Sequence, residues 1–180
     1  MSNIKLLGLS GSLRQGSFNR MLLREGVRLF GDADYTEANV KLPLYDGDEE
    51  DATGIPPAVQ PLADQIAAAD AVMIATPEYN SGISGVLKNA LDWVSRTDGN
   101  PWKDKPLAIL SATAGRTGGA RTQTMLRWCL TPFRPRILQG PEILVAQTAD
   151  QFDENGRLIN ASNEKALRIL MTALRAEIGR

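Results

Sequence analysis

The chain of 180 residues contains no histidine. That absence removes the commonest general base and the commonest transition-metal ligand together. Redox or group-transfer chemistry must then rest on a bound cofactor or on other side chains, and no metal site is expected. A single cysteine excludes an internal disulfide and accords with a reducing cytoplasm. Charge of either sign is not in excess: 20 Lys and Arg stand against 21 Asp and Glu, a formal net charge of −1. So balanced a surface carries no electrostatic footprint for nucleic acid or a membrane. Long uncharged apolar runs are missing, and no basic segment leads into an apolar one at the start. Neither a membrane span nor an export signal is expected. The composition is otherwise that of an ordinary globular protein, with 43% hydrophobic and 23% charged residues. Its length suits one domain over residues 1–180.

The most informative stretch is Gly11-Ser12-Leu13-Arg14-Gln15-Gly16-Ser17-Phe18-Asn19. Before it, Ile4 to Leu9 is an apolar run that predicts a buried strand; after it, Leu22, Leu23, Val27 and Phe30 recur at helical spacing. The stretch is therefore a strand-to-helix turn, which aims backbone N–H groups and the positive end of a helix dipole at one point. Gly11 and Gly16 permit a tight turn and close approach of a ligand, and Ser12, Ser17 and Asn19 add side-chain donors. Arg14 contributes a permanent charge on a planar fork. A phosphate group fits such a turn, whereas serines that merely cap the helix would explain less of it. The nucleotide P-loop is excluded because Ser17 stands where its lysine should be, and the G-x-G-x-x-G fingerprint is absent.

Downstream, strands and helices alternate. Strands are predicted at Tyr35 to Val40, Ala71 to Ala75 and Leu107 to Leu110, with a last strand region from Ile137-Leu138 and Ile143 to Ala146. Helices are predicted from about Pro57 to Ala69, around Leu87, Ala90, Leu91 and Val94, and around Leu126, Cys129, Leu130 and Phe133. The final one carries Leu167, Leu170, Met171, Leu174 and Ile178. The acidic, turn-rich segment from Gly47 to Pro57 is expected to be exposed. Such alternation predicts an α/β fold of the flavodoxin-like kind, a five-stranded parallel sheet in the order 2-1-3-4-5 with helices on both faces. Ligands bind such sheets at the carboxyl ends of the strands, near the switch point. The Ser12 turn, the Pro77 turn and the Thr113 turn all leave carboxyl ends there and should build one site.

In the second of these turns Tyr79 offers an aromatic face, Asn80 both donors and acceptors, and Gly82 room for a flat ring. An ordinary loop with Ser81 as its helix cap is the plainer alternative. The third brings backbone N–H groups and Arg116 toward the same mouth, although Arg116 is equally readable as a solvated residue. Glu78 is a candidate acid or base without a partner to support it. Cys129 falls on the apolar stripe of its helix, and both Arg134 and Arg136 miss the phosphatase spacing, so it reads as core. Trp93, Trp102 and Trp128 read as packing or interface residues.

Four motifs together resemble the NAD(P)H-dependent FMN reductases, which include bacterial quinone, chromate and azo-dye reductases. They are the Gly11–Asn19 turn, Pro77-Glu78-Tyr79-Asn80, Leu87-Lys88-Asn89-Ala90-Leu91-Asp92-Trp93 and Gly118-Gly119-Ala120-Arg121. Ser84 departs from the proline that many relatives have at the start of that helix. The resemblance implies bound FMN, with NADPH or NADH as co-substrate and a homodimer or homotetramer. It places Ser12, Arg14, Ser17 and Asn19, with the adjoining Phe18, around the FMN phosphate. Pro77, Glu78, Tyr79 and Asn80 would border the isoalloxazine, with the substrate pocket near Tyr79 and Asn80, and Thr113 to Gly115 would approach its pyrimidine side. The expected activity is hydride transfer from NAD(P)H to a small acceptor by a ping-pong scheme, which needs no protein base. Single-electron carriage between proteins is the alternative; such carriers are usually strongly acidic, which a net charge of −1 is not.

Overall fold

A computed structural model describes residues 3–180. Its strands are β1 (Lys5–Ser10), β2 (Asp34–Glu37), β3 (Ala71–Ala75), β4 (Pro106–Ala112), β5 (Arg136–Ile137) and β6 (Ile143–Val145). All pair in parallel, in the order β2-β1-β3-β4-β5, with β6 also paired to β4. The helices are α1 (Phe18–Phe30), α2 (Gly47–Thr53), α3 (Val59–Ala68), α4 (Gly85–Val94), α5 (Ala120–Leu130) and α6 (Ala161–Ala176). This is the expected α/β, flavodoxin-like order with a sixth strand added.

Strand periodicity builds the two cores. In β1, β3 and β4 successive side chains alternate between faces, as the pleat demands. Leu7, Leu9, Val72, Ile74, Leu107 and Ile109 join α3, α4 and α5 on one face. Leu6, Met73, Ala75, Ala108, Leu110 and Ala112 join α1 and α6 on the other. With every position of β3 and β4 buried, the apolar runs that predicted central strands are explained by cover on both sides.

Three elements differ from expectation, each for a local reason. The last strand position is split: Arg136 and Ile137 pair with Pro106 and Leu107, then Ile143–Val145 pair with Leu110–Ala112. Pro141 lies in the gap and has no N–H to continue a ladder. Strand β2 ends at Glu37 instead of Val40, because the Asn39 side chain accepts the Lys41 N–H and turns the chain away. The exposed acidic segment holds a helix, α2, capped by Asp46, with Asp48, Glu49 and Glu50 at the positive end of its dipole. Trp102 is buried, and so is Trp93 at 2% exposure, its indole N–H donating to the Pro43 carbonyl at 2.8 Å.

One buried charge holds the segment after β6 onto α1. Glu25, 2% exposed, accepts from Arg28 at 2.8 Å and from Arg157 at 3.1 Å. Phe18 stacks on Phe152 of the same segment with centroids 5.6 Å apart. Burial pushes the Glu25 pKa up, but the Arg28 and Arg157 guanidinium groups outweigh it and hold the carboxyl below its ordinary 4.5. A depressed native pKa gives stability that is complete above the unfolded value and is lost as pH falls through the native one. Urea unfolding should therefore show stability falling as pH drops below about 4.5. Glu25→Gln should lower stability at pH 7 and flatten that acid slope; an unchanged slope would show that this pair does not carry it.

Candidate functional site

The carboxyl ends of β1, β3 and β4 open into one cleft of about 310 Å³. Ser12, Arg14, Ser17, Phe18, Asn19, Pro77, Glu78, Tyr79, Thr113 and Gly115 all line it. The three turns singled out by topology thus meet.

The first turn is a donor cradle. Gly11 N–H donates to Ala75 O at 2.8 Å, tying the turn to β3, and Ser17 caps α1 by accepting the Asn19 N–H at 3.2 Å. Among the described residues the N–H groups of Gln15, Gly16, Ser17 and Phe18 have no protein acceptor. They stand at the positive end of α1, where an anion is stabilised. Arg14 is exposed, and among the described residues it has no carboxylate partner. The two glycines differ in purpose, and neither adopts left-handed backbone. A Cβ on Gly11 would press on Pro77 and Ser84 at 3.1 Å, so its place is set by packing; one on Gly16 would meet nothing within 4 Å. The free space beside Gly16 is cleft. Asn19 has a structural role beside the expected one: one Nδ2–H donates to Ala112 O at 2.9 Å and its Oδ1 accepts the Ala112 N–H at 3.0 Å. Its carboxamide fixes the start of α1 against the end of β4 and leaves the second Nδ2–H as a donor at the cleft that Asn19 lines.

In the second turn, Tyr79 and Gly82 exchange two backbone hydrogen bonds of 3.0 Å. Asn80 and Ser81 form the tip, with φ of 49° and 65°. That turn carries Asn80 out to solvent, and it is the expected site residue that the cleft lining does not include. Tyr79, 52% exposed, stands at the rim. A Cβ added to Gly82 would lie 2.9 Å from the Met125 sulfur, the movable end of an exposed side chain, so packing alone does not demand glycine there. Ser84, not Ser81, caps α4, accepting from Leu87 N at 3.3 Å. Glu78 is engaged by backbone: its Oε2 accepts the N–H of Arg121 at 3.1 Å and of Thr122 at 3.3 Å.

The third turn returns through Gly118 and Gly119, with φ of 63° and 95°. A Cβ on either would approach Leu144 or Ser111 within 2.6 Å, so only glycine fits. Beneath them Ser111 Oγ donates to Gly118 O at 2.6 Å, and Gln123 bridges Ser111 and Ile143 O. Arg116 is exposed and is not part of the lining. Thr117 and Thr148 line the cleft without having been expected. Thr148 follows β6, and its N–H donates to Thr113 O at 3.3 Å. Its only sequence signal is a small polar residue at the carboxyl end of the last strand. Cys129 lies half-buried against the core outside the cleft, and burial pushes its thiol pKa up, away from a reactive thiolate.

The cleft thus offers an anion cradle with one free cation at one end and a small-residue wall beside an aromatic rim at the other. That fits a phosphate joined to a flat ring. Comparison with known proteins agrees. Residues 4–150 match the family described as NADPH-dependent FMN reductase. An NAD(P)H-dependent FMN reductase of Pseudomonas aeruginosa is 44% identical over 176 residues, covering 97% of this chain and 93% of its own. A quinone reductase of Escherichia coli is 36% identical, covering 94% and 93%. Among solved structures, the flavoenzyme NAD(P)H:(acceptor) oxidoreductase FerB of Paracoccus denitrificans superimposes with a TM-score of 0.85 at 30% identity, over 97% of each chain.

Gly16 separates fold from site. Gly16→Ala should leave the melting temperature within about 2 °C of the parent, since its Cβ meets no protein atom. The same methyl should weaken FMN binding about tenfold, roughly 1.4 kcal/mol, in a fluorescence titration. Unchanged affinity would show that the space beside Gly16 is not where the cofactor sits.

Proposed function

Because the chain belongs to the NADPH-dependent FMN reductase family, we propose that it passes hydride from NADPH or NADH, through FMN held in this cleft, to quinones. Free flavin, azo compounds and chromate are further acceptors under this proposal. The observation that carries it is the cradle of unpartnered N–H groups at the start of α1 with Arg14 beside it. When bound, FMN supplies the hydride acceptance and donation that the side chains here lack.

The residues of the chain do the rest. The N–H groups from Gln15 to Phe18, the Ser12 and Ser17 hydroxyls and the Arg14 fork hold the phosphate by charge-assisted hydrogen bonds. Asn19 keeps the cradle in register with β4, and its second Nδ2–H is left to reach the phosphate. Pro77, Glu78 and Tyr79 would border the ring on one side of the cleft, and Thr113, Gly115 and Thr117 would border it on the other. Tyr79 stands at the open rim, where donor and acceptor enter in turn and are brought within about 3–3.5 Å of the reacting atom. No side chain need take or give a proton for hydride to move, which is why a chain without histidine suffices.

We also propose a homodimer or homotetramer. Trp93 is buried and cannot meet a partner, so its expected place in an interface is lost. Trp128, 72% exposed on α5, and the neighbouring Met125 next to the Tyr79 turn are the apolar residues that association would cover. Light scattering should report more than one subunit at micromolar concentration, and Trp128→Asp should shift it toward the monomer.

Steady-state kinetics test the activity. With NAD(P)H and a quinone varied together, double-reciprocal plots should be parallel, because one site serves both substrates in turn. Intersecting lines would require both substrates bound at once. No NAD(P)H oxidation at all would remove the proposal.

A further inference from the structure

Helix α5 begins without a local cap. Its N-cap position is Gly119, which offers no side chain. The usual remedy, a serine, threonine, asparagine or aspartate, is barred there. Gly119 holds φ of 95°, and a Cβ would lie 2.6 Å from Ser111. The orphan N–H groups of the first turn are met from elsewhere: Glu78 Oε2 accepts from Arg121 N at 3.1 Å and Thr122 N at 3.3 Å. Two further bonds tie the same turn of α5 to the second loop. Thr122 Oγ1–H donates to Pro77 O at 3.1 Å, and Arg121 Nη1–H to Ser81 Oγ at 3.2 Å. Of these groups, Glu78 is the one that carries negative charge, and it lines the cleft.

An uncapped helix start presents about half a positive charge. Here that charge would lie at the cleft wall, where it would favour a ring that becomes anionic on reduction. A carboxylate seated on it opposes that effect, while the Arg121 guanidinium at Ser81 adds charge of the other sign nearby. Resting on the proposal that the cleft holds FMN, we propose that Glu78 is a positioning residue with a second, electrostatic task. Its carboxylate latches the ring-bordering loop to α5, and its charge restrains the reduction of the flavin. Oxidised FMN takes up two electrons and one proton to give a singly anionic reduced form, so a nearby negative charge opposes exactly one added charge. The third loop is left as the donor to the ring, since among the described residues the N–H groups of Ala114, Gly115, Arg116 and Thr117 have no protein acceptor.

Two variants divide the latch from the charge. Glu78→Gln keeps an acceptor oxygen and removes the charge; Glu78→Ala removes both. Amide hydrogen exchange on the protein without flavin reads the latch. Protection of Arg121 and Thr122 should fall about tenfold or more in Glu78→Ala and less in Glu78→Gln. A redox titration of the FMN-loaded protein against a dye of known potential reads the charge. At a fixed potential the ratio of reduced to oxidised FMN should rise about three- to tenfold in Glu78→Gln. A purely structural cap would leave that ratio at the parent value in Glu78→Gln, and that result would overturn the proposal. Unchanged exchange at both amides in Glu78→Ala would overturn it as well. If Glu78→Ala fails to fold, Glu78→Gln alone decides. Failure of the parent to bind FMN would overturn the reading of the cleft first and this proposal with it, while the exchange data would still report whether the latch exists.

Discussion

Asn19 and Ala112 exchange two hydrogen bonds, of 2.9 and 3.0 Å, between a side chain at the start of α1 and the last residue of β4. Both partners are buried, so neither bond is diluted by solvent, and loss of either would leave an unsatisfied group in the interior. The pairing sets the height and direction of the α1 N-terminus above the sheet. From that one placement the unpartnered N–H groups at Gln15 to Phe18 gather on one side of the cleft, and Thr113 and Gly115 come to stand opposite. A phosphate bound by the first turn therefore presents its attached group to the third. The Glu25 clasp and the Phe18–Phe152 stack extend the arrangement by holding the segment that starts at Thr148 against the same helix.

Charge in the cleft is sparse and opposed. Arg14 beside the N–H cradle is free of any carboxylate among the described residues, whereas Glu78 on the opposite turn is engaged by backbone donors. A chain without histidine can belong to a reductase family because the redox chemistry is the cofactor's and the chain's part is to bind and orient it.

Much of this was legible in the residues. The apolar runs at Ile4 to Leu9, Ala71 to Ala75 and Leu107 to Leu110 are strands because both faces are covered, and the order of elements follows from their alternation. The Gly11–Asn19 and Pro77–Tyr79 motifs pointed to the cleft because their chemistry is local. What escaped was non-local. That Asn19 also fixes α1 to β4 is hidden until its partner Ala112 is known, and the cap that Glu78 provides is hidden until the start of α5 is seen across from it. Asn80 looks like a ring contact until the bonds between Tyr79 and Gly82 turn it outward. Trp93 reads equally as packing or interface until its burial and the bond to Pro43 decide for packing. Thr148 carries no motif at all, and only the position of β6 beside β4 brings it to the cleft.

The central claim is that the phosphate of the cofactor sits in the cradle at the start of α1. Calorimetric titration of the flavin-free protein with FMN and with riboflavin, identical except for that phosphate, tests it most directly. The account predicts that FMN binds at least about 100-fold more tightly, roughly 2.7 kcal/mol, as expected for charge-assisted bonds from Arg14 and several N–H groups. Equal affinities would contradict it and would place the anion cradle outside the cofactor site.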